Sequence, residues 1–128
     1  TLYSLDPEGR PDPAEKRDPA REVFHNTRVH GKTVVKDAAA RKALFDAFRT
    51  GVQDHNGSAA KCFAPRHGLR IKSGEATVDL LICFECFQVQ VFENDKAARG
   101  KLLVSRSPRG AFNKALTDAG VPLDKGAE

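Results

Sequence analysis

The residues of this chain best suited to chemistry are three cysteines and one of its four histidines, held in two short stretches, KCFAPRHGLR at 61–70 and LLICFECFQV at 80–89. Cys62, His67, Cys83 and Cys86 together supply a Cys3His set, the donor types of a tetrahedral zinc site, and Cys83 and Cys86 have the Cys-x2-Cys spacing that such sites use. A second tight pair of ligands is missing, so two other readings stand beside it. Cys62 could bridge to Cys83 or Cys86 and leave one free thiol, as in an exported domain with an odd cysteine count. Alternatively, all three cysteines could be reduced, small apolar fillers of a core. The residue types favour metal, zinc or a softer thiophilic ion such as copper(I). Pro65, Arg66 and Glu85 are the supporting residues: Pro65 constrains the loop before His67, Arg66 can orient an anion or pair with Glu85 or Asp79, and Glu85 sits between the two close thiols.

A thiol redox role is the competing functional class, with Cys83 or Cys86 attacking a disulfide and a second cysteine resolving it. Redox Cys-x2-Cys motifs start helices, whose N-termini lower the thiol pKa, whereas CFECFQVQVF reads as strand. Enzyme chemistry is therefore disfavoured, and no nucleophile elbow, phosphate loop or nucleotide-binding glycine pattern is present. His25, His30 and His55 are expected to be solvated residues rather than ligands.

These residues must be positioned by the elements around them. Asp37 caps a helix through AAARKALFDAFRTGVQDH, with Leu44, Phe45, Phe48 and Val52 as its apolar stripe. EVFHNTRVHGKTVVKD predicts a strand interrupted at Gly31, and LRIKS and ATVDLLI flank the turn residues Ser73, Gly74 and Glu75 of a hairpin. KLLVS predicts another strand. Ser107, Pro108, Gly120 and Pro122 bracket a second helix carrying Phe112, Ala115, Leu116 and Ala119. The order gives an α+β fold, a curved antiparallel sheet with two helices on one face. Pro7, Pro11, Pro13 and Pro19 mark residues 1–21 as an extended spacer, residues 22–123 as a single domain and residues 124–128 as a tail.

The apolar parity changes within the cysteine stretch. Val78, Leu80, Ile82 and Phe84 are even, whereas Phe87, Val89 and Val91 are odd. Strict alternation then requires an inserted residue or a sharp bend near 84–86, which puts both thiols on one face. A straight run from Ala76 to Glu93 would also span about 60 Å, too long for this domain. Direct pairing of Cys83 with Cys86 requires a tight turn, since an extended separation of three residues is about 10 Å.

The two motifs also carry a resemblance. CFAPRHG followed by a hairpin and ICFEC resembles a group of small bacterial proteins of unknown function, several exported or lipid-anchored, that share a C-x-x-P-R-H and a C-F-x-C element. The resemblance spans most of residues 22–123 and implies that Cys62, Pro65, Arg66, His67, Cys83, Phe84 and Cys86 are signature positions. It implies no activity, but it points to the cell envelope or periplasm, with a cytoplasmic protein as the alternative and a membrane tether upstream of Thr1 as one arrangement. The net charge of +4 comes from interspersed signs, 21 basic against 17 acidic residues, so no nucleic-acid partner is expected. No run approaches the roughly 18 apolar residues of a membrane span. The expected function is an accessory or binding domain with a metal-holding Cys/His cluster and an unidentified protein partner.

Overall fold

A computed structural model describes residues 1–8, 22–60, 63–98 and 100–127. In chain order the elements are β1 (Leu2–Asp6), β2 (Val23–Phe24), β3 (Thr27–Thr33), α1 (Ala38–Gln53), β4 (His67–Ser73), β5 (Ala76–Cys83), β6 (Gln88–Glu93), β7 (Lys96–Ala97), β8 (Leu102–Leu103) and α2 (Arg109–Asp118). All pairings are antiparallel, in the spatial order β2-β3-β1-β4-β5-β6-β7, with β8 also on β6. The fold is α+β, an open antiparallel sheet with two helices, as the pattern of the sequence predicts.

The N-terminal segment departs from the spacer expectation. Leu2–Asp6 lies between β3 and β4 and pairs with both. Leu2 and Leu5 are fully buried and Tyr3 and Ser4 nearly so. A central strand covered on both faces reads LYSLD, without the clean alternation of a half-exposed strand, and the proline after it disguises it further. The rest of the expected spacer, residues 9–21, lies outside the described residues. The expected C-terminal tail is also packed: Asp124 accepts from Arg66 Nε at 2.8 Å, and Ala127 is buried, its carbonyl taking a hydrogen bond from Asn113 Nδ2 at 2.6 Å.

Three two-residue turns organise the hairpins. Ser73 pairs with Ala76 around Gly74, which has φ +61°, as the Ser-Gly-Glu signature predicts. Phe24 pairs with Thr27 around His25 and Asn26, both left-handed at φ 47° and 64°, and Glu93 pairs with Lys96 around Asn94 and Asp95, at 49° and 67°. Positive φ at both central residues is the type I′ requirement that Asn and Asp tolerate. The stretch from Val23 to Thr33, expected as one interrupted strand, is therefore a hairpin. The irregularity expected at Gly31 is present, since Ser4 pairs with Gly31 and Leu5 with Val29, leaving His30 as the extra residue.

The parity change has a different origin from an inserted residue in one strand. β5 ends at Cys83, Phe84–Phe87 turn, and β6 returns with Ile82 opposite Val89 and Leu80 opposite Val91. A reversal that pairs even with odd positions keeps Leu80, Ile82, Val89 and Val91 on one face. Phe87 completes the turn at φ 60°.

That face carries the main core. Leu2, Leu69, Leu80, Ile82, Phe84 and Val89 pack with Leu44 of α1 and Phe112 and Leu116 of α2. α1 starts as expected, Ala40 N–H donating to Asp37 Oδ2 at 2.8 Å, whereas the cap position of α2 falls on Pro108, whose side chain accepts nothing, and the expected cap Ser107 meets Ser105 Oγ instead. The opposite face holds a smaller cluster of Tyr3, Leu5, Phe24 and Leu81. Gly68 belongs there: a Cβ would sit 2.8 Å from the Phe24 ring, so the ring needs a glycine beneath it.

If β1 is core, Leu2→Ala should lower the urea-unfolding free energy by about 3 kcal/mol, the range for a fully buried leucine. A spacer residue would leave it unchanged.

Candidate functional site

The tight turn brings Cys83 and Cys86 together. Their sulfurs are bonded, with Cα atoms 5.3 Å apart, and the Cys86 amide donates to Cys83 Sγ at 3.1 Å. Exposure is 1% at Cys83 and 3% at Cys86, so the disulfide offers no line of approach to an attacking thiolate. The chain after α1 is lashed to the same turn. Ala60 N–H donates to the Cys86 carbonyl at 3.1 Å, and Gln88 Nε2 donates to the Ala60 carbonyl at 2.5 Å. Cys62 lies outside the described residues.

His67 does not join the cysteines. It is the Cα partner of Ile82 on the helix-covered face, whereas alternation sends Cys83 to the other face. Its ring stands edge-on to Phe84 at 5.1 Å and to Phe112 at 6.2 Å, and Nε2 bonds Asn113 Oδ1 at 2.6 Å. Burial pushes the imidazole down to about 4; the Asn113 bond opposes this, and the charges of Arg109 and Arg66 add to it. The neutral ring donates its Nε2–H to the amide oxygen. The void beside it, lined in part by Arg66, Phe84, Glu85 and Arg109, is about 10 Å³, room for a single water and no substrate.

The supporting residues also find other partners. Arg66 pairs with Asp124 rather than Glu85 or Asp79. Glu85 turns away from the sulfurs to Arg109 at 2.6 Å and Arg106 at 3.2 Å, which ties the disulfide turn to α2. Pro65 is buried and lines a cleft on the face away from the helices. Among the described residues, His67, Cys83 and Cys86 do not converge as ligands, and the two sulfurs are already bonded to each other.

The most organised polar cluster is one that the sequence reading passed over. Asp79, 1% exposed, takes two hydrogen bonds from Arg70, Nε to Oδ1 at 2.8 Å and Nη2 to Oδ2 at 2.9 Å, and a third from His25 Nε2 at 2.7 Å. Burial alone would raise this carboxyl, but the Arg70 and His25 hydrogen bonds hold it below its ordinary value. His25 is far from solvated: its ring stacks on Phe92 at 3.8 Å and meets Phe24 edge-on at 4.9 Å. His30 is exposed as expected, although Nε2 also bonds Asp124 at 3.1 Å, and His55 is exposed just beyond the end of α1, its Nδ1 accepting from Gly57 N–H. The signal that could have revealed His25 is the His-Asn pair inside a valine-rich stretch, a type I′ turn in place of a strand. Asp79, 54 positions away, carries no signal.

Two groups of donor atoms lie close enough to hold an ion, His25 with Asp79 and Asp95, and Asp6 with His30 and Asp124. In each, an arginine already neutralises a carboxylate, Arg70 at Asp79 and Arg66 at Asp124, which removes most of the attraction for a cation. No family model, curated protein or solved structure matches the chain.

The buried His67 makes a pH prediction. Its folded pKa lies below its unfolded value of 6.5, so the stability it carries is complete above that value and is lost as pH falls toward about 4. The loss should reach about 3 kcal/mol. Asp79 and Asp124, also depressed, act only below their unfolded value of 3.8. Urea unfolding of the native protein and of His67→Gln across pH 4 to 7 (about the window of the His67 titration) should show the slope in the first and not in the second.

Proposed function

We propose that this chain is a disulfide-stabilised binding domain of an oxidising compartment, a bacterial cell-envelope or periplasmic accessory protein rather than an enzyme. One observation carries the reading: the only two cysteines among the described residues form a buried disulfide that closes the turn between β5 and β6. Disulfides persist in exported proteins and are scarce where thioredoxin and glutathione keep thiols reduced. Burial makes this one structural, because a redox partner must reach a sulfur in line with the bond. The envelope resemblance of the CFAPRHG and ICFEC motifs points the same way. Cys62 is then the odd thiol of the chain, and zinc held by Cys62, His67, Cys83 and Cys86 is the weaker alternative, requiring the disulfide to open and His67 to leave Asn113. No helix among the described residues is long and apolar enough to cross a membrane.

The stabilisation expected is modest. A bridge over about four residues removes little entropy from the unfolded chain, about 2 kcal/mol. For a domain of this size that corresponds to a midpoint shift of about 6 °C. The Cys83→Ser/Cys86→Ser double variant should therefore stay folded with a lowered thermal midpoint, and reductant should lower the native protein to the same value. Equal midpoints with and without reductant, together with stoichiometric zinc in natively purified protein, would reverse the choice between the two readings.

A further inference from the structure

The sheet face away from the helices contains a cleft of about 370 Å³ between the β2–β3 turn and the segment entering β4. That volume lies in the range of small-molecule sites, roughly 300–1,000 Å³. We propose that it binds an uncharged, hydroxyl-bearing small molecule of the sugar or polyol class.

The chemistry of the walls selects that class. Among the described residues the lining has no lysine, arginine, aspartate or glutamate, so neither an anion nor a cation meets an opposite charge. What it presents instead is the His25 ring, the Asn26 and Gln90 amides and Thr27, against apolar surface from Phe63 and Leu81. An amide offers a donor and an acceptor together, which is the complement of a hydroxyl, itself both. Phe63 and Leu81 suit the C–H face of the same ligand. The Asn26 and Gln90 side chains have no hydrogen-bond partner among the described residues.

The site is also held in place before any ligand arrives. His25 Nε2 is fixed on the Asp79 carboxylate, which is fixed by the Arg70 fork, and Phe92 stacks on the ring. The ionised carboxylate accepts from Nε2, and Nδ1 is the ring nitrogen that Asp79 leaves for a ligand hydroxyl. Asn26 is set by its left-handed backbone at φ 64°, and Gln90 stands on β6 opposite Leu81. His25 is here a positioned polar ring, and Asp79 and Arg70 are positioning residues acting through it. Rigid placement of this kind lowers the entropic cost of binding.

The test is a two-dimensional amide NMR titration of the full chain with glucose, N-acetylglucosamine and glycerol as neutral probes and glutamate and choline as charged ones. A neutral probe should shift the amides of His25, Asn26 and Gln90 saturably, with millimolar or tighter affinity. Asn26→Gly keeps the turn, since glycine accepts positive φ, and Gln90→Ala removes the other amide. Each should weaken binding about tenfold, the value of one lost hydrogen bond, without lowering the thermal midpoint. Nitrogen-15 imidazole spectra should show a hydrogen on Nε2 of His25 engaged by the Asp79 carboxylate, and Asp79→Asn should alter that signature. Saturation by glutamate or choline alone, no saturable shift with any neutral probe, or binding indifferent to both variants would overturn the proposal.

Discussion

The reversal between Cys83 and Gln88 is the constraint on which the rest of the structure depends. It returns the chain so that Ile82 meets Val89 and Leu80 meets Val91, and this register puts every large apolar residue of β5 and β6 on its proper face. A slip of one residue would turn Val89 and Val91 to the far side, away from the core that Ile82 shares with Phe112 and Leu116. The disulfide closes the reversal covalently, Glu85 anchors it to α2, and Ala60 ties it to the chain beyond α1. Three otherwise separate parts of the fold therefore meet at four residues.

The two faces of the sheet divide the remaining work. The helix side is a dry core in which His67 survives as a neutral ring, satisfied by Asn113 and walled by Phe84 and Phe112. One polar orphan is left there, the buried Ser4 hydroxyl, whose residue is the strand partner of His67. The other face is wetter and carries the organised charges. Asp79 on β5 is compensated by two partners, Arg70 on β4 and His25 in the β2–β3 turn, so charge-assisted bonds join these three segments. The same bonds hold His25 at the wall of the cleft on that face.

Much of the fold was legible because local chemistry and tertiary structure agree. Asp37 caps α1, Ser73-Gly74-Glu75 turns the β4–β5 hairpin, and Phe112 and Leu116 mark the buried stripe of α2. The parity flip near 84–86 was equally legible, but the expectation of an inserted residue or a sharp bend fell short of the full reversal that brings the chain back beside itself. β1 was hidden because a strand buried on both faces loses its alternation and because proline follows it directly. The site was less legible than the fold. Residue type linked His67 to the cysteines, yet which face of β4 it occupies depends on the register with β5, and that register is set by the reversal. The His25, Arg70 and Asp79 cluster depends on pairings among four segments, which no spacing in the chain encodes.

The central claim is that Cys83 and Cys86 are bonded to each other. Trypsin separates the cysteines cleanly, since no lysine or arginine interrupts residues 73–96, which hold Cys83 and Cys86, while Cys62 falls in the short peptide CFAPR. Natively purified protein, alkylated while unfolded but unreduced and then digested, should yield the 73–96 peptide unmodified and two hydrogens lighter than its dithiol form, with Cys62 alkylated. A 73–96 peptide joined to CFAPR, or one carrying two alkyl groups, would contradict the account.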